Sequence, residues 1–248
     1  MTARLVLLGA SNVRRGLPVV VESARAAIGP DLEIFGAFGH GRSYGTRSCI
    51  PFRCLPGILE CGLWEALAAG GGATSAVVMD VGNDILYGET AETILGWVAE
   101  CLARLARGGA ALRVVAAPVD RIRRVAAAEF LLFRTIFYPG SRVSRRAAVR
   151  AVEEVDAGLR RLASGAGAAI VEPRLRWYGM DPIHIRRSMR PAAWAEILGA
   201  AGPPPPMPAG EALRLRLAPP ERRWIAGFER RALQPALRLK GETLISLF

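Results

Sequence analysis

At 248 residues with 51% hydrophobic side chains, the chain can bury a full core and fits one α/β domain better than two. The formal charge is +11, yet Lys240 is the only lysine, the arginines are spread along the whole length, and no nucleic-acid motif accompanies them; this pattern speaks for drift in residue usage over nucleic-acid binding. No stretch is long enough to span a bilayer, and the first apolar run, residues 5–8, is too short for the core of a signal peptide, so a cytoplasmic location is expected.

In chain order, residues 4–8 read as a buried strand broken by Gly9, and residues 18–28 carry helical spacing up to Gly29-Pro30. Residues 32–35 form a second short strand. A glycine-heavy loop follows, with Gly36, Gly39, Gly41 and Gly45, which brings backbone close to a ligand. The four cysteines, Cys49, Cys54, Cys61 and Cys101, show neither C-x-x-C nor zinc-type spacing, and reduced, mostly buried thiols are the expectation. Residues 58–69 fit a helix, 75–81 a strand, 90–107 a long helix and 111–117 a strand closed by Pro118. The segment 119–144 is apolar but irregular, with Phe130, Phe133, Phe137 and Tyr138 among arginines; it reads either as a cover over the site or as a helix and turn packed on the sheet. Residues 145–162 form an amphipathic helix, 168–171 a fifth strand and 191–198 a closing helix.

The alternation of strands and helices implies a mostly parallel five-stranded sheet covered on both faces. Residues 1–201 make the body. Residues 202–209, which include GPPPPMP, form a stiff linker. Residues 210–248 are expected as an appendage of short strands at 213–217 and 244–248.

Chemistry gathers at three places. Gly9-Ala10-Ser11-Asn12 stands where the first strand hands over to the first helix, so the Ser11 hydroxyl projects at the carboxyl end of the sheet, where ligand sites of open α/β sheets lie. A serine nucleophile needs a base and the base needs an orienter. His40 and His184 are the only histidines, and Asp181-Pro182-Ile183-His184 puts a carboxylate three residues before the second, while His40 has none near it. Gly82-Asn83-Asp84 follows the third strand of the body, and the Asn83 amide, the Ser11 N–H and a glycine-loop N–H are candidate donors to a tetrahedral oxyanion.

These blocks, in this order, resemble those of the SGNH (GDSL-like) hydrolase superfamily. Gly9 to Asn12 matches its serine block, His40-Gly41-Arg42-Ser43 its glycine block, Gly82 to Asp84 its asparagine block and Asp181 to His184 its terminal D-x-x-H block. The aspartate usual before the nucleophile is Ala10 here, and Asn12 replaces the leucine after it. The resemblance implies a three-layer α/β/α flavodoxin-like sandwich, acyl chemistry through a covalent acyl-Ser11, and no metal or organic cofactor. It assigns Ser11, His184 and Asp181 as catalytic, and Ser11, Gly41 and Asn83 as the oxyanion hole, with Gly39 and Gly45 as alternatives to Gly41. Asn12, His40, Arg42 and Asp84 are candidate substrate contacts, and Arg42, Arg186 and Arg187 flank the site. The leading expectation is an esterase acting on a small-molecule or carbohydrate-linked ester. Behind it stand an acyltransferase of the same fold and a non-catalytic binding protein that uses the basic surface.

Overall fold

The computed structural model describes residues 2–50, 52–138 and 140–248, and the side chain of Phe137 lies outside what it describes. The elements in chain order are β1 (Ala3–Leu8), α1 (Ser11–Ile28), β2 (Leu32–Ala37), β3 (Ser48–Ile50), β4 (Arg53–Leu55), α2 (Leu63–Gly70), β5 (Ser75–Val78), α3 (Asn83–Tyr87), α4 (Ala91–Arg107) and β6 (Ala111–Val115). They continue with α5 (Val119–Arg123), α6 (Ala127–Phe137), α7 (Arg145–Gly165), β7 (Ala169–Val171), α8 (Arg190–Leu198), α9 (Ala209–Leu217), β8 (Arg222–Ile225), β9 (Phe228–Arg231), β10 (Leu237–Arg238) and β11 (Leu244–Leu247).

The central sheet runs β10-β11-β2-β1-β5-β6-β7, parallel throughout except for the β10/β11 pair. Side chains of β1 alternate across it: Leu5 and Leu7 enter one core with α1 and α8, whereas Val6 and Leu8 enter the other with α4 and α7. Both faces are therefore covered, giving the three-layer α/β/α sandwich expected. Close packing of α1 on α8 depends on Gly16, where a Cβ would stand 2.5 Å from the Trp194 indole nitrogen.

The five expected strands are β1, β2, β5, β6 and β7, but the sheet has seven. The two additional ones come from the segment expected as an appendage: β11 pairs in parallel with β2, Ile245 opposite Ile34, and buries Ile245 and Leu247 in the body's core. An apolar strand laid along β2 covers an edge that would otherwise present unpaired backbone groups. The 210–248 unit is thus integral to the body at its end. Its first part also differs, since residues 213–217 lie in helix α9. Their alternation of leucine with arginine suggested a strand, but Glu211 in the first turn and Arg214 and Arg216 in the last suit the helix dipole, and only Leu215 is buried.

Helix α1 begins at Ser11, not at Pro18, so the nucleophile candidate is itself the first helical residue. The 58–69 helix is split into a 3-10 turn (Ile58–Glu60) and α2. A second, antiparallel sheet of order β3-β4-β8-β9 joins the segment after the glycine loop to the C-terminal region. Cys49 and Cys54 face each other across β3 and β4 and form a disulfide, which corrects the expectation of four free thiols; Cys61 and Cys101 are free and buried. A cross-strand pair closing one hairpin needs no larger cysteine framework, which is why counting alone did not reveal it. Among the described residues no helix is long and apolar enough to cross a membrane.

Candidate active site

Strand β1 ends at Leu8, and the turn Gly9-Ala10 delivers Ser11 to the first position of α1. Asp80, just past β5 in the left-handed backbone region (φ 59°), accepts from the N–H groups of Ala10 (3.0 Å) and Asn12 (2.9 Å) with one oxygen. The Ser11 N–H between them takes no part in that clamp. The carboxylate missing at position 10 is thus supplied by Asp80 from the neighbouring strand. Burial raises the Asp80 carboxyl, opposed by the bonds from Asn12 and Ala10 and by the charge of His184.

Ser11 Oγ lies 2.7 Å from His184 Nε2, and His184 Nδ1 lies 2.6 Å from Asp181 Oδ2. The other Asp181 oxygen accepts the N–H groups of Ile183 (3.2 Å) and His184 (3.1 Å), so the D-x-x-H turn grips its own carboxylate. Partial burial acts to raise the Asp181 carboxyl, but the bond and charge of His184, with those two N–H groups, hold it below its ordinary value. Arg15 adds a looser ion pair at 3.6 Å.

Asn12, expected as a substrate contact, is a brace instead. Its amide donates to Asp80 Oδ1 (2.7 Å) and the Ile183 carbonyl (2.8 Å) and accepts from the Ile185 N–H (2.8 Å). It therefore fixes the backbone on both sides of His184.

Asn83 opens α3 and is 8% exposed. Tyr138, at the end of α6, donates to its Oδ1 at 3.3 Å, and its Nδ2 is buried with no protein partner. Its amide thus keeps an unused N–H donor, and Asn83 lines a cavity together with Ser11. Tyr138 meets Tyr87 edge-to-face at 5.3 Å, and Tyr87 donates to the Gly41 carbonyl at 2.6 Å. One tyrosine pair thus supports both the asparagine and the glycine loop. Gly41 sits at φ 59°, where an added Cβ would stand 2.9 Å from Ile50 and from the Tyr87 hydroxyl, so only glycine fits. Of the alternatives, Gly45 has its N–H on Ser43 Oγ and lies beneath Trp97, and Gly39 packs on Leu55.

Two expected contacts are corrected by their burial. Arg42 is 0% exposed; its guanidinium bonds the main-chain oxygens of Pro56 and Phe248 and ties the glycine loop to the end of β11. Asp84 is also 0% exposed, and it accepts the Tyr44 N–H at 3.1 Å. Their placement in sequence beside site residues said nothing about which way the side chains turn. His40 is a surface residue whose imidazole is held down to about 4, by desolvation first and then by the charges of Arg15, Arg14, Arg53 and His184. Arg186 and Arg187 are exposed, and Arg186 donates to the Arg176 carbonyl.

From Ser11 and Asn83 a cavity of about 1120 Å³, open mouth included, extends between the ends of β5 and β6 and under α6 and α7. Ile122, Val125, Phe130, Phe133 and Val152 give it an apolar wall. The 119–144 segment is thus both readings at once: two helices, α5 and α6, packed on the body and roofing the site. Phe133 also meets the His184 ring at 6.4 Å between centroids.

No protein-family model matches the chain, and no curated protein matches it by sequence. Solved structures do match by fold. Est24, a carbohydrate acetylesterase from Sinorhizobium meliloti, aligns with a TM-score of 0.57 at 16% identity over 79% of this chain and 97% of its own. An aryl esterase from M. smegmatis gives 0.55 at 15% over the same shares. A GDSL-like lipase from Parabacteroides merdae gives 0.51 at 13%, covering 80% of this chain and 96% of that one. The chain shares their fold.

Proposed function

We propose that the chain is an SGNH-type serine hydrolase that cleaves a carboxylic ester through an acyl-Ser11 intermediate. The observation that carries this reading is the unbroken chain from Asp181 through His184 to Ser11, at 2.6 and 2.7 Å. Asp181 accepts a hydrogen bond from the Nδ1–H of His184 and leaves Nε2 as the base. As Ser11 Oγ attacks the carbonyl carbon, its proton passes to Nε2, and the oxyanion forms among the Ser11 N–H, the Gly41 N–H and Asn83 Nδ2. Removing one such donor elsewhere costs about 10²–10³ in rate. Collapse breaks the bond to the alcohol oxygen, which takes the proton from Nε2. Water then gives a proton to Nε2, attacks the acyl carbon and releases the acid, and Ser11 Oγ recovers its proton.

The apolar cavity receives the acyl group. Its walls favour an aliphatic or aromatic acyl chain longer than acetyl, since each methylene moved out of water contributes about 0.8 kcal/mol. The alignments to an aryl esterase and an acetylesterase fit an ester substrate of small to moderate size.

The test is covalent labelling with a fluorophosphonate, read by intact mass and peptide mapping. A single adduct on Ser11 is expected, absent in Ser11→Ala and much slowed in His184→Ala. Absence of any adduct, or one indifferent to both changes, rejects the serine mechanism.

A further inference from the structure

A second hollow lies on the other side of β1 from the acyl cavity. It is a groove of about 620 Å³ between α1, the residue after β2, β4, β8 and the stretch 217–220. Three guanidinium groups enter it from distant parts of the chain: Arg14, one helical turn after Ser11; Arg53 on β4; and Arg223 on β8. No carboxylate lines the groove, and among the described residues none of the three has an ion-pair partner. Several arginines elsewhere hold a carboxylate. Arg222, the neighbour of Arg223 on β8, holds Glu229 at 3.1 Å, Arg4 holds Glu33 at 2.7 Å, and Arg160 holds Asp156 at 2.8 Å.

Two of the three are further constrained. Arg14 is aimed by a 2.6 Å bond to the Arg216 carbonyl, and Arg53 Nε is buried with no partner. Burial, followed by the charges of Arg14, Arg223 and Arg42, weighs on the Arg53 guanidinium. Cations gathered in this way repel one another and lose hydration, a cost that an anion offsets. The floor between them is apolar, with the buried Phe38 and Leu247.

We propose that this groove binds the alcohol half of the substrate through a phosphate group carried by that half, an inference that rests on the esterase reading above. Planar guanidiniums suit phosphate oxygens by bidentate hydrogen bonding. The groove begins at Arg14, one helical turn from the nucleophile on α1. The leaving oxygen takes its proton from His184 while the phosphate, further along the same alcohol, rests on the arginines. The acyl chain points the opposite way, under α6.

The experiment compares two esters of one acyl chain, hexanoyl glycerol and hexanoyl glycerol 3-phosphate, on the full chain. Wild type is expected to prefer the phosphate ester in kcat/KM by about tenfold or more at low salt, with the preference shrinking as salt rises. The ratio should approach one in Arg53→Gln/Arg223→Gln, while Arg107→Ala, an exposed change on α4, keeps it. Glycerol 3-phosphate titrated into Ser11→Ala by calorimetry should bind, and inorganic phosphate should bind more weakly. Equal rates on the two esters together with no binding to Ser11→Ala overturn the groove, whatever the fluorophosphonate result. Binding without any labelling overturns the esterase reading and leaves the groove as a phosphate site. Phosphate binding as tightly as glycerol 3-phosphate overturns the assignment to the alcohol half.

Discussion

The two hollows on either side of β1 are built by opposite chemistry. The cavity proposed for the acyl group is walled mostly by carbon, largely from residues between Met79 and Ile183, with α5 and α6 as its roof. The arginine groove is rimmed by charge, and more than half of its wall comes from the 217–225 stretch, beyond the proline-rich break. On the proposed reading, one reaction centre is given its two specificities by different segments of one chain. Each can then change without disturbing the other.

That separation can be broken experimentally. The largest effect should come from the shared centre: Asn83→Ala removes the buried Nδ2 and is expected to lower kcat by roughly 10²–10³ on every ester, whichever hollow the ester fills. Steady-state kinetics on a short neutral ester and a long one check this, and a loss confined to one of them would take Asn83 out of the oxyanion hole. A smaller, selective effect is expected in the cavity. Val152→Phe on α7 should cut kcat/KM for a hexanoate ester roughly ten- to hundredfold relative to acetate, as about four methylenes lose their burial. Equal losses on both would place the acyl chain elsewhere.

The smallest effect on turnover, though not on stability, concerns Asp84 under the glycine loop. Burial is the chief reason its carboxyl is pushed up to about 6, against the bonds from Ser43 and Tyr44. The folded state therefore holds this proton more tightly than the unfolded chain, whose carboxyl has its ordinary value near 3.8. On this account stability is full at low pH, falls as pH rises through that interval, and stays lower above it. Asp84→Asn keeps an acceptor for the Tyr44 N–H and removes the charge. It should match wild type near pH 4 and exceed it by up to about 3 kcal/mol near pH 8 in urea melts. A constant difference across that range would show that Asp84 does not titrate as described.

The parts legible in the sequence were those whose signal is local. Leu5 to Leu8 and Ser75 to Val78 are apolar runs with only one plausible use, and Asp181 and His184 are three residues apart on one turn. What escaped depended on contacts between distant residues. Nothing near Asp80 shows that its carboxylate will cap the turn at Ser11, because the seventy residues between them close only through the β1/β5 pairing. Tyr138 reads as one more aromatic until its hydroxyl reaches Asn83. The apolar character of β11 was visible, but not its place beside β2, since a parallel partner more than two hundred residues away leaves no periodic trace. Arg42 and Asp84 sat beside site residues in sequence, yet a one-residue step along a loop is enough to turn a side chain inward.

The bond from Arg42 to Phe248 has a bearing on how the protein is made. Synthesis delivers the glycine loop early, but the oxygen that anchors its arginine, and the strand that covers β2, emerge some two hundred residues later. Until then Arg42 has no partner at that end, and the loop that carries Gly41 is not held in its final setting. A chain still on the ribosome would thus carry Ser11 and Asn83 well before β11 and Phe248 fix the glycine loop beside them.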